Sequence, residues 1–369
     1  MNSVSDIRAS QIDAFLHDAG WVDAVRHPLN QDASTRYYVR LTRADGRTAM
    51  LMDAPGVEGA PCPPGADEAT RQAMGWNALT RLAASRVDAF IALSGELKSR
   101  GLSSPNILVA DVETGLALLE DFGEGREFAR LLERGAASET DLYASAVEVL
   151  AGLHSTPAPS MASGYGQHWP ILEFDTVALR TNADLFAEWM PQFDGQMRWN
   201  EAAAARWTEE RDRLIAAAME RPRAFTLRDF HAENLIWLPD RAGPARIGLL
   251  DFQDAVNGWA GWDLAMLTQD ARREVSPAAR EAALSAYVSA TGRNRTELDE
   301  ELAIIGTLNA LRIAGLFARL IYRDRKPRYG AFQDRQLRIL ARNLGHPAVG
   351  GMANFVRDIA PHILEMSDG

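Results

Sequence analysis

Three polar side chains in the second half of the chain have the types and spacing needed for acid–base and metal-ion chemistry. Asp229 and Asn234 lie in the segment 227–234, LRDFHAEN, and Asp251 follows a short apolar run. A carboxylate held beside a reacting hydroxyl can accept its proton. Carboxylate and amide oxygens are also the hard ligands that Mg²⁺ prefers in proteins. We therefore expect Asp229 to be a catalytic base that contacts the substrate, and Asn234 and Asp251 to be ligands of Mg²⁺.

The spacing of these residues matches the catalytic loop of kinases. Phosphoryl transfer requires of the protein mainly positioning and charge neutralisation. An Asp-x-x-x-x-Asn sequence puts a base five residues before a metal ligand, and a second metal-binding Asp stands further along the chain. Here one apolar strand, 224–227, precedes Asp229, and another, 246–250, ends at Asp251-Phe252. The flanking strands make the pattern specific, and it predicts transfer of a phosphoryl group from a nucleotide.

The segments around this loop predict a small β-rich N-terminal part and a large helical C-terminal part. Two pairs of strands, the first joined by an Asp-Gly turn typical of a β-hairpin, are expected at 33–41, 48–52, 105–111 and 115–120. Helices are expected at 6–19, 68–83, 88–100, 139–154, 183–190 and 200–219, and from the last strand to the C-terminus. We predict an α+β bilobal fold with a nucleotide-binding lobe at 1–120, a hinge at 121–125, and a helical lobe at 126–369 that carries the catalytic loop and the substrate site.

The catalytic segment resembles the His-Gly-Asp-x-His-x-x-Asn motif of aminoglycoside and choline/homoserine kinases. Asp251 matches the downstream metal-binding Asp of this phosphotransferase family, and Asp263-Leu264-Ala265 resembles its Asp-Leu-Ala element. The resemblance implies a protein-kinase-like fold with ATP between the lobes, and it implies that Asp263 supports the catalytic loop. We expect His231 to help order the same loop, because partners for it at metal-ligand spacing are missing. An acid, a base or a metal ligand are the alternative roles of His231.

Further segments narrow the resemblance to the anomeric kinases of N-acetylmuramate and N-acetylglucosamine in cell-wall recycling. These segments are 31–38 (QDASTRYY), 51–55 (LMDAP), 118–123 (LLEDFG), 250–255 (LDFQDA) and 315–320 (GLFARL). The resemblance implies that ATP and a small sugar are the substrates, with Mg²⁺ as cofactor and a sugar 1-phosphate as product. It also implies that the backbone of Glu120 and Phe122 contacts the adenine.

The sequence departs from the family pattern at two positions. Leu227 replaces the first His of the motif, whose role is usually structural. Met52 stands in the strand position where protein kinases carry a phosphate-binding Lys. Because some cation must take the place of this Lys at the nucleotide phosphates, we expect Arg36 to supply it, with Arg40 and Arg47 as alternatives.

Composition and charge exclude several classes of protein. The chain of 369 residues carries a formal net charge of −11, which disfavours a nucleic-acid binder because phosphate neutralisation needs a basic surface. Its single cysteine, Cys62, permits no intramolecular disulfide. The N-terminus lacks the pattern of a signal peptide, and there is no run of about 18 apolar residues that would span a membrane. We expect a cytoplasmic, monomeric protein with no nucleic-acid or membrane partner.

The acceptor is the part of the function that the residues constrain least. Between Arg312 and Arg342 the chain has nine basic and two acidic residues. A solvated helix face explains most such runs. If part of this run, Arg319 above all, binds the substrate, it favours a neutral or anionic sugar over a polycationic aminoglycoside. An aminoglycoside, glucosamine or a small amino alcohol as acceptor, and a nucleotide-binding pseudokinase, are the alternatives.

Overall fold

The computed structural model describes residues 4–29, 36–55 and 61–366. Before residue 120, five strands form an antiparallel sheet with the order β1-β2-β3-β5-β4. The strands are β1 Val25–Pro28, β2 Tyr37–Thr42, β3 Thr48–Asp53, β4 Ile107–Asp111 and β5 Leu116–Leu119. Residues 31–35, which carry part of the resemblance to the anomeric kinases, lie outside the described residues.

Helices make up most of the described chain outside this sheet. The helices before residue 120 are α1 Val4–Asp18, α2 Glu68–Met74, α3 Trp76–Thr80 and α4 Val87–Ser99. The later helices are α5 Phe128–Glu133, α6 Glu139–His154, α7 Thr176–Phe193, α8 Glu201–Met219, α9 Ala260–Thr268, α10 Pro277–Thr291, α11 Arg295–Tyr322, α12 Gly330–Leu344, α13 Gly350–Ile359 and α14 Pro361–Leu364. Three short antiparallel pairs interrupt them: β6 Met161–Gly164 with β7 Gln167–Pro170, β8 Ala224–Thr226 with β11 Val256–Gly258, and β9 Leu235–Trp237 with β10 Ile247–Leu249.

The five-stranded sheet packs between two helices because its strands direct apolar side chains toward both faces. On one face, Leu51 and its neighbours form a small core with Leu16 of α1. On the other face, Met52 belongs to the main hydrophobic core together with Phe90 of α4. Period-2 alternation along β3 thus buries consecutive residues in different cores. The sheet is held on both sides, which is what a platform for a ligand requires.

Helix α11 is the central helix of the C-terminal part and packs against α7, α9 and α12. It is long and apolar enough to cross a membrane, yet 72% of its most apolar stretch is buried inside the protein, as expected for a core helix. It crosses α7 closely at Gly315, where a Cβ atom would come within 2.2 Å of the carbonyl carbon of Leu185. Glycine at this position therefore permits the close approach of the two helices.

The predicted α+β fold, with a small β-rich part followed by a large helical part, is confirmed, while several elements differ from the expectation. The helix expected at 68–83 is two helices, α2 and α3, because Gly75 between them has a φ of 93° and ends α2. The sequence pattern does not predict β1, β6, β7, β9 and β11. Each of these strands has three or four residues, too few for a period of two to be recognised. The limits of the two lobes and of the hinge stay predictions.

Candidate active site

The catalytic loop lies between two short antiparallel strand pairs. Strand β8 ends at Thr226 and pairs with β11, and β9 begins at Leu235 and pairs with β10. The loop between β8 and β9 is therefore held at both ends. The second pairing also puts Asn234 beside the end of β10, where its carbonyl oxygen accepts the N–H of Leu250 at 3.0 Å. The structure thus brings together Asp229, Asn234 and the Asp251 that follows β10.

Asp263 holds the beginning of this loop. It is fully buried in α9, and its two carboxylate oxygens accept the backbone N–H groups of Leu227 at 2.7 Å and Arg228 at 2.8 Å. Arg228 has a φ of 76°, which is uncommon for a residue with a side chain. These two hydrogen bonds therefore stabilise a strained turn directly before Asp229. His154, for which the sequence suggests no role, lies with its Nε2 3.9 Å from the same carboxylate.

The side-chain amide of Asn234 is oriented by the loop itself. Its Nδ2 donates to the carbonyl oxygen of Asp229 at 2.9 Å and lies 3.3 Å from Nε2 of His231. Since the amide nitrogen is turned toward the loop, Oδ1 is left for the cleft that Asn234 lines. Burial, and then the charges of Arg272 and Arg312, lower the pKa of His231 well below its usual value. His231 is therefore neutral at pH 7, and its contact with Asn234 agrees with a structural role.

Asp251 is positioned by its own backbone and by Arg36. It has a φ of 56°, and its Oδ1 accepts hydrogen bonds from Nη2 of Arg36 and, at 3.1 Å, from Nε2 of Gln253. The ring of Phe252 stacks on Phe90 of α4, with centroids 4.8 Å apart. The Asp251-Phe252 pair thus connects the end of β10 to the sheet side of the molecule, through an ion pair and a ring contact.

The oxygens of Asn234 and Asp251 fit a Mg²⁺ site of the kind that a nucleotide completes. Both residues line the same cleft. Within the described ranges, no group of three or more His, Cys, Asp or Glu side chains could hold a metal ion by itself. Mg²⁺ commonly takes one or two protein ligands and obtains the remaining oxygens from water and substrate phosphates. The donor set therefore suits Mg²⁺ that arrives with a nucleotide.

The carboxyl group of Asp229 has a pKa raised to about 6. Burial is the largest cause, and the negative charges of Asp251 and Asp254 add to it, while Arg312 and Arg228 act in the opposite direction. A carboxylate with this pKa is a stronger base than an ordinary aspartate and is still mostly ionised at pH 7. These are the properties required of a group that accepts a proton from a hydroxyl at neutral pH.

A cleft of about 280 Å³ lies between the sheet and the β9–β10 hairpin. Residues 119–123, which follow strand β5, form part of its wall. Most of its lining side chains are apolar, and these are Leu29, Tyr38, Met50, Phe90, Pro105, Leu119, Phe122, Ile236 and Leu250. Arg36, Asn234 and Asp251 line the same cleft. An apolar cavity with a few charged groups is suited to an aromatic base that carries phosphates.

The chain at Glu120 and Phe122 offers backbone groups to this cleft. The Glu120 carboxylate accepts hydrogen bonds from Asn106 Nδ2 at 2.7 Å and Arg241 Nη2 at 2.5 Å, and the N–H of Glu120 donates to the Asn106 carbonyl oxygen. Among the described residues, neither the carbonyl oxygen of Glu120 nor the N–H of Phe122 has a partner. The Phe122 ring packs on β10 at Gly248, where a Cβ atom would lie 2.8 Å from it. An acceptor and a donor two residues apart thus border the cleft.

Of the three arginines considered for the phosphates, Arg36 is the one in contact with Asp251. It is buried and lines the cleft. Arg40 also lines the cleft, but its guanidinium forms an ion pair with the nearly buried Asp121 at 2.8 Å. Arg47 is exposed in the turn between β2 and β3, where it pairs with a neighbouring aspartate at 2.6 Å. The structure therefore brings Arg36, and neither of the alternatives, into contact with the Asp251 carboxylate at the cleft.

The structure does not bring Arg319 to Asp229. Arg319 is half-buried on α11 with its guanidinium 5.9 Å from the ring centroid of Trp76, and burial and the nearby Arg323 lower its pKa. Arg312, two helical turns earlier on α11, is the arginine of the basic run whose charge acts on Asp229. Sequence reasoning missed Arg312, although its spacing of seven residues from Arg319 indicates the same helix face.

The segment 61–86, which follows β3, packs against the helical part and the catalytic loop. Arg71 is buried and forms a two-point ion pair with Asp175, at 2.6 and 3.1 Å, directly before α7. The guanidinium of Arg228 donates to a backbone carbonyl oxygen of this segment at 3.0 Å. The carboxylate of Asp254 accepts a hydrogen bond from a backbone N–H of the same segment at 2.6 Å. The segment therefore covers one side of the loop that carries Asp229. Its sequence, which predicts a helix and a loop, gives no sign of these contacts.

The sheet, the cleft beneath it and the loop that carries Asp229 and Asn234 are the architecture of a protein-kinase-like phosphotransferase. Residues 26–300 match the model of the phosphotransferase enzyme family APH, and the chain belongs to this family.

Relatives with curated names cover most of the chain. An N-acetylmuramate/N-acetylglucosamine kinase of Caulobacter vibrioides is 45% identical over 335 residues, which are 89% of this chain and 90% of the relative. A protein of the same name from Pseudomonas aeruginosa is 28% identical over 309 residues, which are 82% and 78% of the two chains. The crystal structure of a choline/ethanolamine kinase family protein from Mesorhizobium loti has the same fold, with a TM-score of 0.57 at 17% identity, and covers 96% of this chain and 99% of its own. The resemblance that the motifs indicate is thereby confirmed.

Proposed function

We propose that this protein transfers the γ-phosphoryl group of ATP to the anomeric hydroxyl of N-acetylmuramate or N-acetylglucosamine, giving ADP and a sugar 1-phosphate. The observation that carries the proposal is Asp229, a carboxyl with a pKa raised to about 6 beside the two oxygen donors of the cleft. The choice of acceptor is supported by the Caulobacter relative named for these two sugars, which is 45% identical over 89% of the chain.

Asp229 is proposed as the base. The sugar C1 hydroxyl donates its proton to the Asp229 carboxylate while its oxygen bonds to the γ-phosphorus, and the bond from that phosphorus to the β–γ bridging oxygen breaks. A hemiacetal hydroxyl is more acidic than an ordinary alcohol because the ring oxygen withdraws electrons from C1. A carboxylate of moderately raised pKa is therefore a sufficient base for this acceptor. Asp263, which holds the backbone directly before Asp229, is proposed as its positioning residue.

Asn234 and Asp251 are proposed to hold Mg²⁺ through the amide Oδ1 and the carboxylate. When bound, Mg²⁺ neutralises phosphate charge and orients the γ-phosphoryl group. Arg36 forms an ion pair with Asp251, and it lines the cleft that the phosphates would enter. We therefore propose Arg36 as the phosphate-binding cation that the apolar Met52 cannot provide.

The backbone at Glu120 and Phe122 is proposed to select adenine. The carbonyl oxygen of Glu120 can accept from the 6-amino group, and the N–H of Phe122 can donate to the adjacent ring nitrogen. Guanine carries a carbonyl oxygen and an N–H at the corresponding atoms, so both pairs would be mismatched. A buried polar group left without a partner costs about 1–3 kcal/mol. We therefore expect ATP to be used in preference to GTP.

The proposal is tested by measuring ADP release with N-acetylmuramate, N-acetylglucosamine and a kanamycin-type aminoglycoside, followed by phosphorus NMR of the product. We expect turnover with the two sugars and a product that carries phosphate on C1 and no longer reduces copper. The methyl glycoside of N-acetylglucosamine, whose anomeric oxygen is blocked, should be inert. Phosphorylation of the methyl glycoside at the rate of the free sugar would refute the assignment of the anomeric hydroxyl as the acceptor. Turnover with the aminoglycoside alone would refute the proposal that the acceptor is one of these two sugars.

A further inference from the structure

We propose that Arg312 binds the carboxylate of an acidic amino sugar and makes the enzyme prefer N-acetylmuramate over N-acetylglucosamine. The inference rests on the proposed function and deepens it. N-acetylmuramate is N-acetylglucosamine with a lactyl ether on its C3 oxygen, so the two acceptors differ by one lactyl group and one negative charge. A group that distinguishes them must be a cation within reach of a sugar whose C1 hydroxyl is at Asp229.

Arg312 lies beside the catalytic loop. Its guanidinium carbon is 5.4 Å from the ring centroid of Trp262, and the Nε1 of Trp262 donates to the carbonyl oxygen of Arg228 at 3.2 Å. Trp262 therefore connects Arg312 to the residue directly before Asp229. Arg312 and Asp229 influence each other's pKa, yet among the described residues they form no ion pair. The two charges are thus close enough to interact, yet they do not form an ion pair with each other.

The guanidinium of Arg312 is oriented, but its charge is not neutralised by an ion pair. Nε and Nη2 both donate to the neutral side-chain oxygen of Asn309, at 3.0 and 2.9 Å. Within the described part of the chain, no carboxylate pairs with Arg312 and its Nη1 has no partner. Burial is the main cause that lowers the pKa of Arg312 to about 10; Arg228 and Arg272 add to this effect and Asp229 opposes it. Arg312 is therefore a half-buried cation at pH 7, and burial of an unpaired charge is unfavourable until a counter-charge binds.

The location of Arg312 indicates that its charge interacts with the acceptor sugar rather than with ATP. The nucleotide cleft is lined by Asn234 and Asp251 but by neither Arg312 nor Asp229. Arg335 of the same basic run differs from Arg312, because it forms an ion pair with a glutamate at 3.2 Å. The planar fork of a guanidinium matches the two oxygens of a carboxylate. A sugar with its C1 hydroxyl at Asp229 has its C3 substituent two ring carbons away, and the lactyl carboxylate extends that reach further.

The test compares N-acetylmuramate with its methyl ester, which keeps the shape of the lactyl group and removes its charge. At saturating Mg·ATP, the wild-type enzyme should have a kcat/KM about 10- to 100-fold higher for the acid than for the ester, the usual effect of a hydrogen bond to a charged group. In Arg312→Gln this ratio should fall close to one. Arg312→Lys should keep part of the preference, because the charge remains and the fork is lost. N-acetylglucosamine, which lacks the lactyl group, reports any general loss of activity.

Each outcome separates the possible roles of Arg312. An acid-to-ester ratio that Arg312→Gln leaves unchanged overturns the proposal. Equal losses of kcat/KM on all three acceptors also overturn the proposal, because they would show that Arg312 acts on the charge of Asp229 and not on the lactyl carboxylate. Arg338→Gln removes the same charge from α12 and is the matched control, for which the ratio should stay at the wild-type value. If the ratio collapses in Arg319→Gln and not in Arg312→Gln, the carboxylate is bound at Arg319 and the assignment is wrong.

Two further measurements keep the proposal testable. If Arg312→Gln loses turnover altogether, calorimetric binding of the acid and the ester in the presence of a non-hydrolysable ATP analogue measures the same ratio. A wild-type enzyme that phosphorylates neither N-acetylmuramate nor N-acetylglucosamine contradicts the proposed function itself. That result is obtained before any variant is made, so the two proposals fail separately.

Discussion

Replacing Asp263 with Asn tests whether the catalytic loop depends on the carboxylate beneath it. The two oxygens of Asp263 accept the N–H groups of Leu227 and Arg228 at 2.7 and 2.8 Å in a fully buried setting. Asparagine keeps one acceptor and turns an amide nitrogen toward the other N–H. A hydrogen bond to a charged group contributes about 1.5–3 kcal/mol, and a buried donor without a partner costs about 1–3 kcal/mol. We therefore expect Asp263→Asn to lower the free energy of unfolding by about 3–5 kcal/mol.

The same substitution should lower activity beyond its effect on stability. Arg228 has a φ of 76°, and the hydrogen bonds to Asp263 hold this conformation directly before Asp229. A displacement of about 1 Å in a catalytic group can cost on the order of 100-fold in rate. We expect kcat of the folded Asp263→Asn enzyme to fall by about that factor, with a smaller change in the KM for ATP. Urea unfolding and steady-state kinetics on the same preparation measure both effects.

Asp111 provides the matched control for Asp263. Its Oδ1 also accepts two backbone N–H groups, from Glu113 at 3.0 Å and Thr114 at 3.1 Å, but it is half-buried at the end of β4, where the turn to β5 begins. Water can replace these hydrogen bonds, so Asp111→Asn should cost about 1 kcal/mol or less and leave kcat unchanged. If Asp263→Asn is as stable and as active as Asp111→Asn, the reasoning that the buried carboxylate holds the loop is refuted.

Three other features of the structure lead to further predictions. Asp229→Asn should lower kcat by about 10²–10⁴ and leave ATP binding intact, as steady-state kinetics and calorimetry can check. In the wild type, kcat/KM should fall as the pH falls through about 6, because the base must be ionised and its pKa is raised to about 6. A pH profile of kcat/KM that stays flat well below pH 6 would contradict the assignment of Asp229 as the base. Arg36→Ala should raise the KM for ATP and lower kcat, with partial recovery in Arg36→Lys, whereas unchanged ATP kinetics would transfer the role to another arginine. Gly315→Ala should destabilise the protein by about 1–3 kcal/mol or more, because the new Cβ would lie 2.2 Å from the carbonyl carbon of Leu185. Gly152→Ala, in open space on α6, should instead stabilise the protein by about 0.5–1 kcal/mol. Equal effects of the two substitutions in thermal denaturation would contradict the role of Gly315 in the helix crossing.

The proposed catalytic groups are readable from the sequence because the contacts that assemble them are short in sequence. Asp229 and Asn234 share one loop, and Asp251 follows the next strand of a hairpin. Strand pairing over so short a separation leaves few other arrangements. The motif spacing also indicated the protein family, which the matches with known proteins confirm. The assignment of roles within the site stays a prediction until the variants are measured.

Contacts between distant parts of the chain could not be predicted. Arg36 and Asp251 are 215 positions apart, and the sequence left Arg36, Arg40 and Arg47 as alternatives. All three lie on or next to the β2–β3 hairpin, and the place where this hairpin meets β10 decides which of them contacts Asp251. The segment 61–86 is a similar case, because nothing in its local pattern indicates that it packs on the catalytic loop.

The basic run from Arg312 to Arg342 shows most clearly what each level of information decides. The sequence by itself determined that the run exists and predicted helices for it, which α11 and α12 confirm outside residues 323–329. The spacing of seven residues between Arg312 and Arg319 was available in the sequence as a sign of one helix face, but it was not used. Only the tertiary structure decided that Arg312 lies beside the catalytic loop while Arg319 packs on Trp76. The physical reason is that the interaction between charges depends on their separation in space and on the polarity between them. Both are set by where α11 crosses its neighbours, which a pattern along the chain does not contain.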